Sequence, residues 1–447
     1  MEKQTLIKNV TLIQDPLEPE IKLDTSVVIV DDLIQAVGST QDLLKSYPEA
    51  IRVDGHGCIL LPGLVDAHTH FYSALTTCMP LKGESPRIFH EVLTNLWWKF
   101  DKALLWEEEI ALSVLAGSIA SLKNGITTVF DHHSSPLCIP DSLDVIAENT
   151  KKCGLRACLA YETSDRDGHE ICSQAIHENV RFIKSAQVQK DSMIQGLFGL
   201  HAVYSLSDDT LQRCAAEVSG LDTGFHMHMA EHQREVDQFN ETHTQSIPEF
   251  LAETGILGSK TILAHTVHIN AKDIDILKST STFNVHNPHS NISNGVGIAP
   301  LREMARVDQP VGLGSDGFYD LPQEMVFARL LQSLVSGNPS AFSDQKALSL
   351  VYDHNVRFAE KIFNCKLGKI KPGYKADLIL IHYEPFTPID VNNLTSHIFM
   401  ALTTGHISEA FIEGRLVLHD GQVTSLDESQ IRSQAQNAAQ GIWKRMQ

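Results

Sequence analysis

Ile59-Leu60-Leu61-Pro62-Gly63-Leu64-Val65-Asp66-Ala67-His68-Thr69-His70 decides how this chain of 447 residues is read. The run is short and apolar, as a buried strand is, and it ends in His-x-His. Successive strand side chains point to opposite faces, so His68 and His70 share one face, where neutral imidazoles suit a borderline-soft divalent metal. Two histidines are half a metal site. The rest is expected far along the chain at other strand ends. Candidates there are His228 in Gly224-Phe-His-Met-His-Met-Ala-Glu231, His265 in Thr261-Ile-Leu-Ala-His-Thr-Val-His268, and Asp316 in Val311-Gly-Leu-Gly-Ser-Asp316.

The spacing of these runs predicts the fold. From about residue 58 to 320, apolar strand-like stretches alternate with helical patterns, which argues a parallel sheet with helices outside it. The strands fall near Cys58–Asp66, Thr127–Asp131, Leu155–Tyr161, Ile194–Leu200, Gly224–Met229, Lys260–His265, Thr282–Val285 and Val311–Ser315. Helices are expected over Glu107–Lys123, from Ser207 to Val218 behind a Ser-Asp-Asp cap, and over Ala271–Ser279. Eight such units in roughly 250 residues are the size of a (β/α)8 TIM-like barrel, whose active sites lie at the C-terminal strand ends. Of the 22 histidines, twelve fall at or just past these ends, so the group stands out where a lone histidine would read as packing.

The flanks read as a second unit. Leu6–Ile13, Ser26–Val30 and Ile34–Gly38 on one side, and Ala376–Ile381 and Glu409–Leu418 on the other, are short strands joined by turns. Neither end offers much core alone, so residues 1–57 and 367–447 are expected to pair into one small β-sandwich, closed by a final helix from Asp427 to Lys444. The barrel, residues 58–366, is inserted between them.

Pro62–His70, the His-x-x-Glu at His228–Glu231, Leu263-Ala-His265, His286-Asn-Pro-His-Ser-Asn291, Gly314-Ser-Asp316 and Gly368-Lys-Ile-Lys-Pro-Gly-Tyr-Lys-Ala-Asp-Leu378 together resemble the amidohydrolase superfamily. The match spans nearly the whole chain. Within that superfamily the chain looks like the aminohydrolase branch of chlorohydrolases, guanine deaminases and methylthioadenosine/adenosylhomocysteine deaminases. Asn95–Leu104 with Val129–Pro136 looks closest to the SsnA-type aminohydrolases.

The resemblance implies a metal count. Two-metal relatives carry a bridging carboxylated lysine at the end of strand four, and Ile194–Tyr204 has no lysine, so a mononuclear site is expected. Its implied ligands are His68, His70, His228 and Asp316, with a position open for water. Zinc suits this set, and iron or manganese suit it too. The ion would lower the pKa of bound water, Asp316 would take a proton from that water, and His265 would hold the water or the developing oxyanion. Glu231 matches the family glutamate that protonates a ring nitrogen and relays the proton to the leaving group.

Other positions leave two readings open. His201, in His-Ala-Val-Tyr-Ser, is either a substrate contact or structural. Glu162 is either a partner for an amino or ring N–H group or half of an ion pair. Trp97 and Trp98 either roof a flat heterocycle or pack an inserted helix, and His226 reads as a support rather than a ligand. Gly312-Leu-Gly-Ser-Asp-Gly317 spells a dinucleotide-binding turn, but no acidic residue follows about twenty positions on, so the glycines read as room around Asp316.

Composition bounds the partners. A net charge of −19 argues against nucleic acid, and no stretch is long and apolar enough for a membrane span. The eight cysteines lack any C-x-x-C spacing, and the first residues lack a signal-peptide pattern, which together point to free thiols in the cytoplasm. The family resemblance further implies a homo-oligomer, a dimer. The expected function is metal-dependent removal of ammonia from a small aminated nitrogen heterocycle by metal-hydroxide attack. Opening of a cyclic amide or imidazolone ring on the same site is the first competitor, and a catalytically inactive scaffold the second.

Overall fold

The computed structural model describes residues 3–22, 24–81 and 84–446. It is a mixed α/β fold with parallel sheets. The parallel strands are Leu64–Thr69, Ile126–His133, Arg156–Tyr161, a fourth broken into Ile194–Gly196 and Phe198–Leu200, then Phe225–Met229, Ile262–His265, Phe283–His286 and Val311–Leu313. Between them run helices, among them Glu107–Lys123 and Ala271–Ser279, as expected from the sequence. Ser207 caps the helix Asp208–Val218 by accepting from the Thr210 N–H, one of the donors a helix start leaves unsatisfied.

The expected strand Cys58–Asp66 is two strands. Ile59–Pro62 pairs antiparallel with Leu378–His382 and parallel with Thr11–Leu12, while Leu64–Thr69 pairs parallel with Ile126–His133. Gly63 is the switch between them. A Cβ there would lie 2.3 Å from the Thr127 side chain, closer than atoms approach, so only glycine lets the chain pass. The fourth strand is divided in a similar way: Ile194–Gly196 pairs with the third strand and Phe198–Leu200 with the fifth. Between the first and eighth strands, the His70 N–H donates to the Asp316 carbonyl at 3.0 Å and the Asp316 N–H to the His68 carbonyl at 2.9 Å.

The chain ends supply two further sheets. In one, Gln4–Lys8 lies between Thr25–Val30 and Ile51–Asp54, with Leu33–Ser39 at the edge. In the other, Thr11–Leu12, Ile59–Pro62, Leu378–His382, His406–Ile412, Arg415–His419 and Gln422–Val423 lie side by side. The expected strand Leu6–Ile13 divides at Asn9, whose φ of 55° is left-handed, a conformation asparagine tolerates. Ile7 and Val27 from the first sheet share one buried apolar cluster with Leu60, Leu378 and Phe411 from the second. The final helix, Glu428–Arg445 with Asp427 as its cap, is anchored by Trp443, whose Nε1–H donates to the Leu75 carbonyl at 2.8 Å. Among the described residues no helix is long and apolar enough to cross a membrane, and all eight cysteines are free thiols.

Every residue of the first three parallel strands is buried, on both faces. That accounts for their near-continuous apolar character. The polar exceptions, among them Asp66, His68, Asp131 and His132, therefore need partners inside the protein, because burial without them is costly.

Candidate functional site

Those partners meet at the carboxyl ends of the strands. His68, His70 and Asp316 offer ligand atoms all within 4.8 Å of one another, and so do His68, His228 and His265, and His70, His132 and His228. The hydrogen bonds assign the ring nitrogens. His70 donates from Nδ1 to the His132 carbonyl at 2.6 Å, and His228 from Nδ1 to the His201 carbonyl at 3.2 Å. Their Nε2 atoms are thus bare acceptors, and they face each other at 3.1 Å. Two lone pairs at that distance repel unless a cation lies between them. The buried Nε2 of His68 has no hydrogen-bond partner among the described residues. Burial first, and neighbouring imidazoles second, hold His68 and His228 well below the ordinary histidine pKa, so both rings are neutral. Neutral, convergent imidazoles with a carboxylate alongside fit one divalent ion.

Surrounding groups hold these donors in place. His68 Nδ1 lies 2.8 Å from His226 Nε2, so His226 orients the ring from behind and contributes no ligand atom to these clusters. Asp66 accepts from the His68 N–H at 3.3 Å, from the Ser315 N–H at 3.0 Å and from the Ser315 hydroxyl, tying the first strand end to the eighth. Gly314 makes room for this, since a Cβ would lie 2.5 Å from Asn287 Oδ1 and 2.8 Å from the His68 carbonyl oxygen. The glycines before Asp316 thus serve close packing, not a dinucleotide turn. Ala230, His265, Thr266 and Asp316 all have left-handed φ, between 45° and 72°. Such residues cost of order 1–3 kcal/mol each and gather at functional sites.

A cavity of about 370 Å³ opens beside this cluster. Glu231 reaches it, its Oε2 3.8 Å from His265 Nε2, while Asp316 Oδ2 stands 3.8 Å from the same nitrogen. His265 is held by its Nδ1, 2.9 Å from Asn291 Oδ1. Burial, then the carboxylates of Asp316 and Glu235, push the Glu231 carboxyl well above its ordinary range, which favours the protonated form. His201, Glu162 and Trp98 also line the cavity, as does Trp97. Burial alone would raise the Glu162 carboxyl, but His201, His132 and Arg166 outweigh it and keep it ionised. Glu162 Oε2 lies 3.5 Å from His132 Nδ1, and its Oε1 lies 3.5 Å from Arg166 and 3.8 Å from His201.

The amidohydrolase family profile matches residues 59–417, most of the chain. The chain belongs to the amidohydrolase family. It is 29% identical over 450 residues to a 5′-deoxyadenosine deaminase of Methanobrevibacter smithii, covering 99% of both chains. A 5-methylthioadenosine/S-adenosylhomocysteine deaminase of Pelotomaculum thermopropionicum is 27% identical, covering 97% of this chain and 98% of the relative. Among solved structures, an adenosine deaminase from Xanthomonas campestris with bound zinc superposes with a TM-score of 0.84 at 20% identity, covering 98% of each chain.

This amidohydrolase brings together every residue singled out from its sequence, and adds others. His132 carries two buried nitrogens with no hydrogen-bond partner among the described residues, and its ring lies 4.8 Å from that of His226 and 4.9 Å from that of His228. Its place at the end of the second strand, in Phe130-Asp-His-His133, was the available signal. Asn291 closes the motif His286–Asn291, whereas Arg166 carried no signal, since it acts through partners that only the fold supplies.

Proposed function

We propose that this amidohydrolase releases ammonia from a small aminated nitrogen heterocycle, with one divalent ion, zinc by preference, held by His68, His70, His228 and Asp316. The observation that carries the reading is the pair of bare Nε2 atoms of His70 and His228, 3.1 Å apart, at the edge of a cavity that also holds Glu231, 3.8 Å from His265. Close kinship with deaminases of adenosine analogues supports the same reaction class. In this reading the eight parallel strands close into a (β/α)8 barrel from Leu64 onward rather than from residue 58, and residues 1–57 and 367–447, joined by Ile59–Pro62, form a β-sandwich with the final helix. The bonds between first and eighth strands and the shared apolar cluster of the two end sheets support that architecture.

A bound divalent ion supplies Lewis acidity that makes water a nucleophile near neutral pH. Asp316 then accepts the proton of the attacking water, and His265, whose Nδ1–H donates to Asn291 Oδ1, holds that water as an acceptor through its Nε2. Glu231 gives its proton to the ring nitrogen next to the carbon under attack and regains one from the new hydroxyl as the carbonyl forms, while the amino group leaves as ammonia with the proton that Asp316 took from the water. Among the described residues Glu162 has no hydrogen bond to its carboxylate oxygens shorter than the 3.5–3.8 Å contacts of its neighbours, so it is an acceptor for an N–H or O–H donor of the substrate. His201 and Trp98 complete the contacts, the indole offering a flat face to a flat ring.

The test loads the protein with one equivalent of zinc and follows ammonium and product mass across aminated purines, their 5′-deoxynucleosides, pterins, pyrimidines and imidazoles. The expected result is ammonium in one-to-one ratio with a closed-ring carbonyl product. A gain of one water without ammonium establishes ring opening instead. Zinc binding with no turnover across the panel favours the inactive scaffold.

A further inference from the structure

The cavity has a wall that does not come from the strands. Phe89–Val92, a wide π-helical turn Leu93–Trp97 and the helix Trp98–Ala103 form one helical segment, and Phe89, Leu93, Trp97 and Trp98 all face the cavity. Wide turns of this kind recur at functional sites, because the extra residue re-aims the side chains around it. The segment is held at two places. Phe89 and Leu93 pack with Val267 and Val296, in the loops after the sixth and seventh strands. The other attachment is ionic: Asp101 pairs with Arg166, and Lys102 Nζ lies 2.5 Å from Asp167 Oδ1, both partners following the third strand.

The Asp101–Arg166 pair of this attachment is almost dry. The Asp101 side chain is 2% exposed and that of Arg166 10%. Ser134 bridges the two, donating to Asp101 at 3.2 Å and accepting from Arg166 at 3.1 Å. Arg166 also lies 3.3 Å from Asp167 and 3.5 Å from Glu162, and its guanidinium sits 5.5 Å over the Trp98 ring. One cation thus faces three carboxylates and one indole. Trp98 precedes Asp101 by three residues, the spacing that puts two side chains on the same helix face, so whatever fixes Asp101 also fixes Trp98. Apolar packing at the other attachment is non-directional and leaves the segment free to shift.

We propose that Asp101 and Arg166 are positioning residues whose buried ion pair sets the helical segment Phe89–Ala103 over the cavity, keeping Trp98 at its wall and Glu162 turned toward it. This rests on reading the cavity as the substrate site. The surplus of carboxylates around Arg166 gives the role a consequence for specificity: the part of the substrate that meets this wall is a neutral or cationic donor, not an anion.

The experiment uses the full chain loaded with zinc and needs no turnover, so it stands apart from any failure of the deaminase reading. Hydrogen exchange is followed in Asp101→Leu, Arg166→Met and the double variant Asp101→Leu/Arg166→Met. Acrylamide quenching of Trp98 is read as the difference from a Trp98→Phe background. Each single variant leaves a buried charge without its partner, so amides of residues 89–103 should exchange roughly tenfold faster and Trp98 quenching should rise about twofold, while strand amides stay protected. Independent effects would multiply, whereas a coupled pair makes the double variant no worse than the worse single one. Unchanged exchange over 89–103, unchanged Trp98 quenching, or a double variant equal to the product of the singles would overturn the proposal. Loss of protection across all strands, in single and double variants alike, would overturn it too, by making the pair a support of the whole fold.

Discussion

His226 touches no expected substrate atom, yet replacing it should weaken metal binding. With Nε2 of His68 reserved for the ion, the His68 proton sits on Nδ1 and is donated to His226 Nε2 at 2.8 Å. His226→Leu removes that acceptor at a site where His68 is fully buried, so no water replaces it. The lost hydrogen bond is worth about 0.5–1.5 kcal/mol net, and the buried N–H left unpaired costs about 1–3 kcal/mol. Because the ring can turn slightly to recover part of this, a net loss of about 1.5–3 kcal/mol is expected. At about 1.4 kcal/mol per factor of ten, that is roughly a 10- to 100-fold rise in the Kd for zinc, the range typical of partners that orient a ligand histidine. His226→Asn, which keeps a carbonyl acceptor on a shorter arm, should lose less. Competition with a chelating dye of known affinity measures both. Wild-type affinity in His226→Leu would refute the argument, because the His68 tautomer would then not depend on His226. Complete loss of zinc would make His226 a ligand.

Three further outcomes follow from the same interior. Glu231→Gln keeps shape but carries no transferable proton, so turnover should fall by roughly 100-fold or more while elemental analysis still finds one zinc per chain. Glu235 accepts the Glu231 N–H at 3.2 Å, and burial pushes its carboxyl up to about 8. A folded pKa above the unfolded one gives stability that is present below about pH 4.5 and lost as pH rises towards 8, at up to about 1.4 kcal/mol per pH unit. Glu235→Gln lacks this loss, so its urea midpoint relative to wild type should climb between pH 5 and 8; a constant difference would refute the shift. Arg156, 0% exposed, pairs with Asp377 across the junction of the parallel strands and the end sheets. Asp377→Asn should therefore cost about 3–5 kcal/mol in urea unfolding.

What could be read in the sequence was whatever repeats or stands at a strand end. Fully buried strands are apolar on both faces, so their runs, and the donors closing them, were visible one by one. The junctions were not. Ile59–Pro62 and Leu64–Thr69 look like one strand because nothing in their composition marks the change of sheet; Gly63 does so only once Thr127 is seen beside it. The fourth strand hid its break in the same way, since Ile194–Gly196 and Phe198–Leu200 differ only in their neighbours. Arg166 belongs to the site through contacts with Glu162 and Asp101, and no local pattern announces a contact between elements so far apart in the chain.

The left-handed residues explain why donors from separate strands converge at all. A strand that simply continued would send His265 and Asp316 along its own alternation, one inward and the next outward. At Ala230, His265, Thr266 and Asp316 the backbone instead turns through a conformation that resists most side chains, and it turns at the layer where the ligand atoms lie. The cost is offset by bonds that exist only in that geometry: the Thr266 N–H to the Met229 carbonyl at 3.0 Å, the His268 N–H to the Ala230 carbonyl at 2.9 Å, and the Asp316 N–H to the His68 carbonyl at 2.9 Å. Each joins one strand end to another, so the strain in one is held by its neighbour, and the donors stay fixed before any ion or substrate arrives. A site assembled in this way spends little binding energy on reorganisation, which leaves that energy for the transition state.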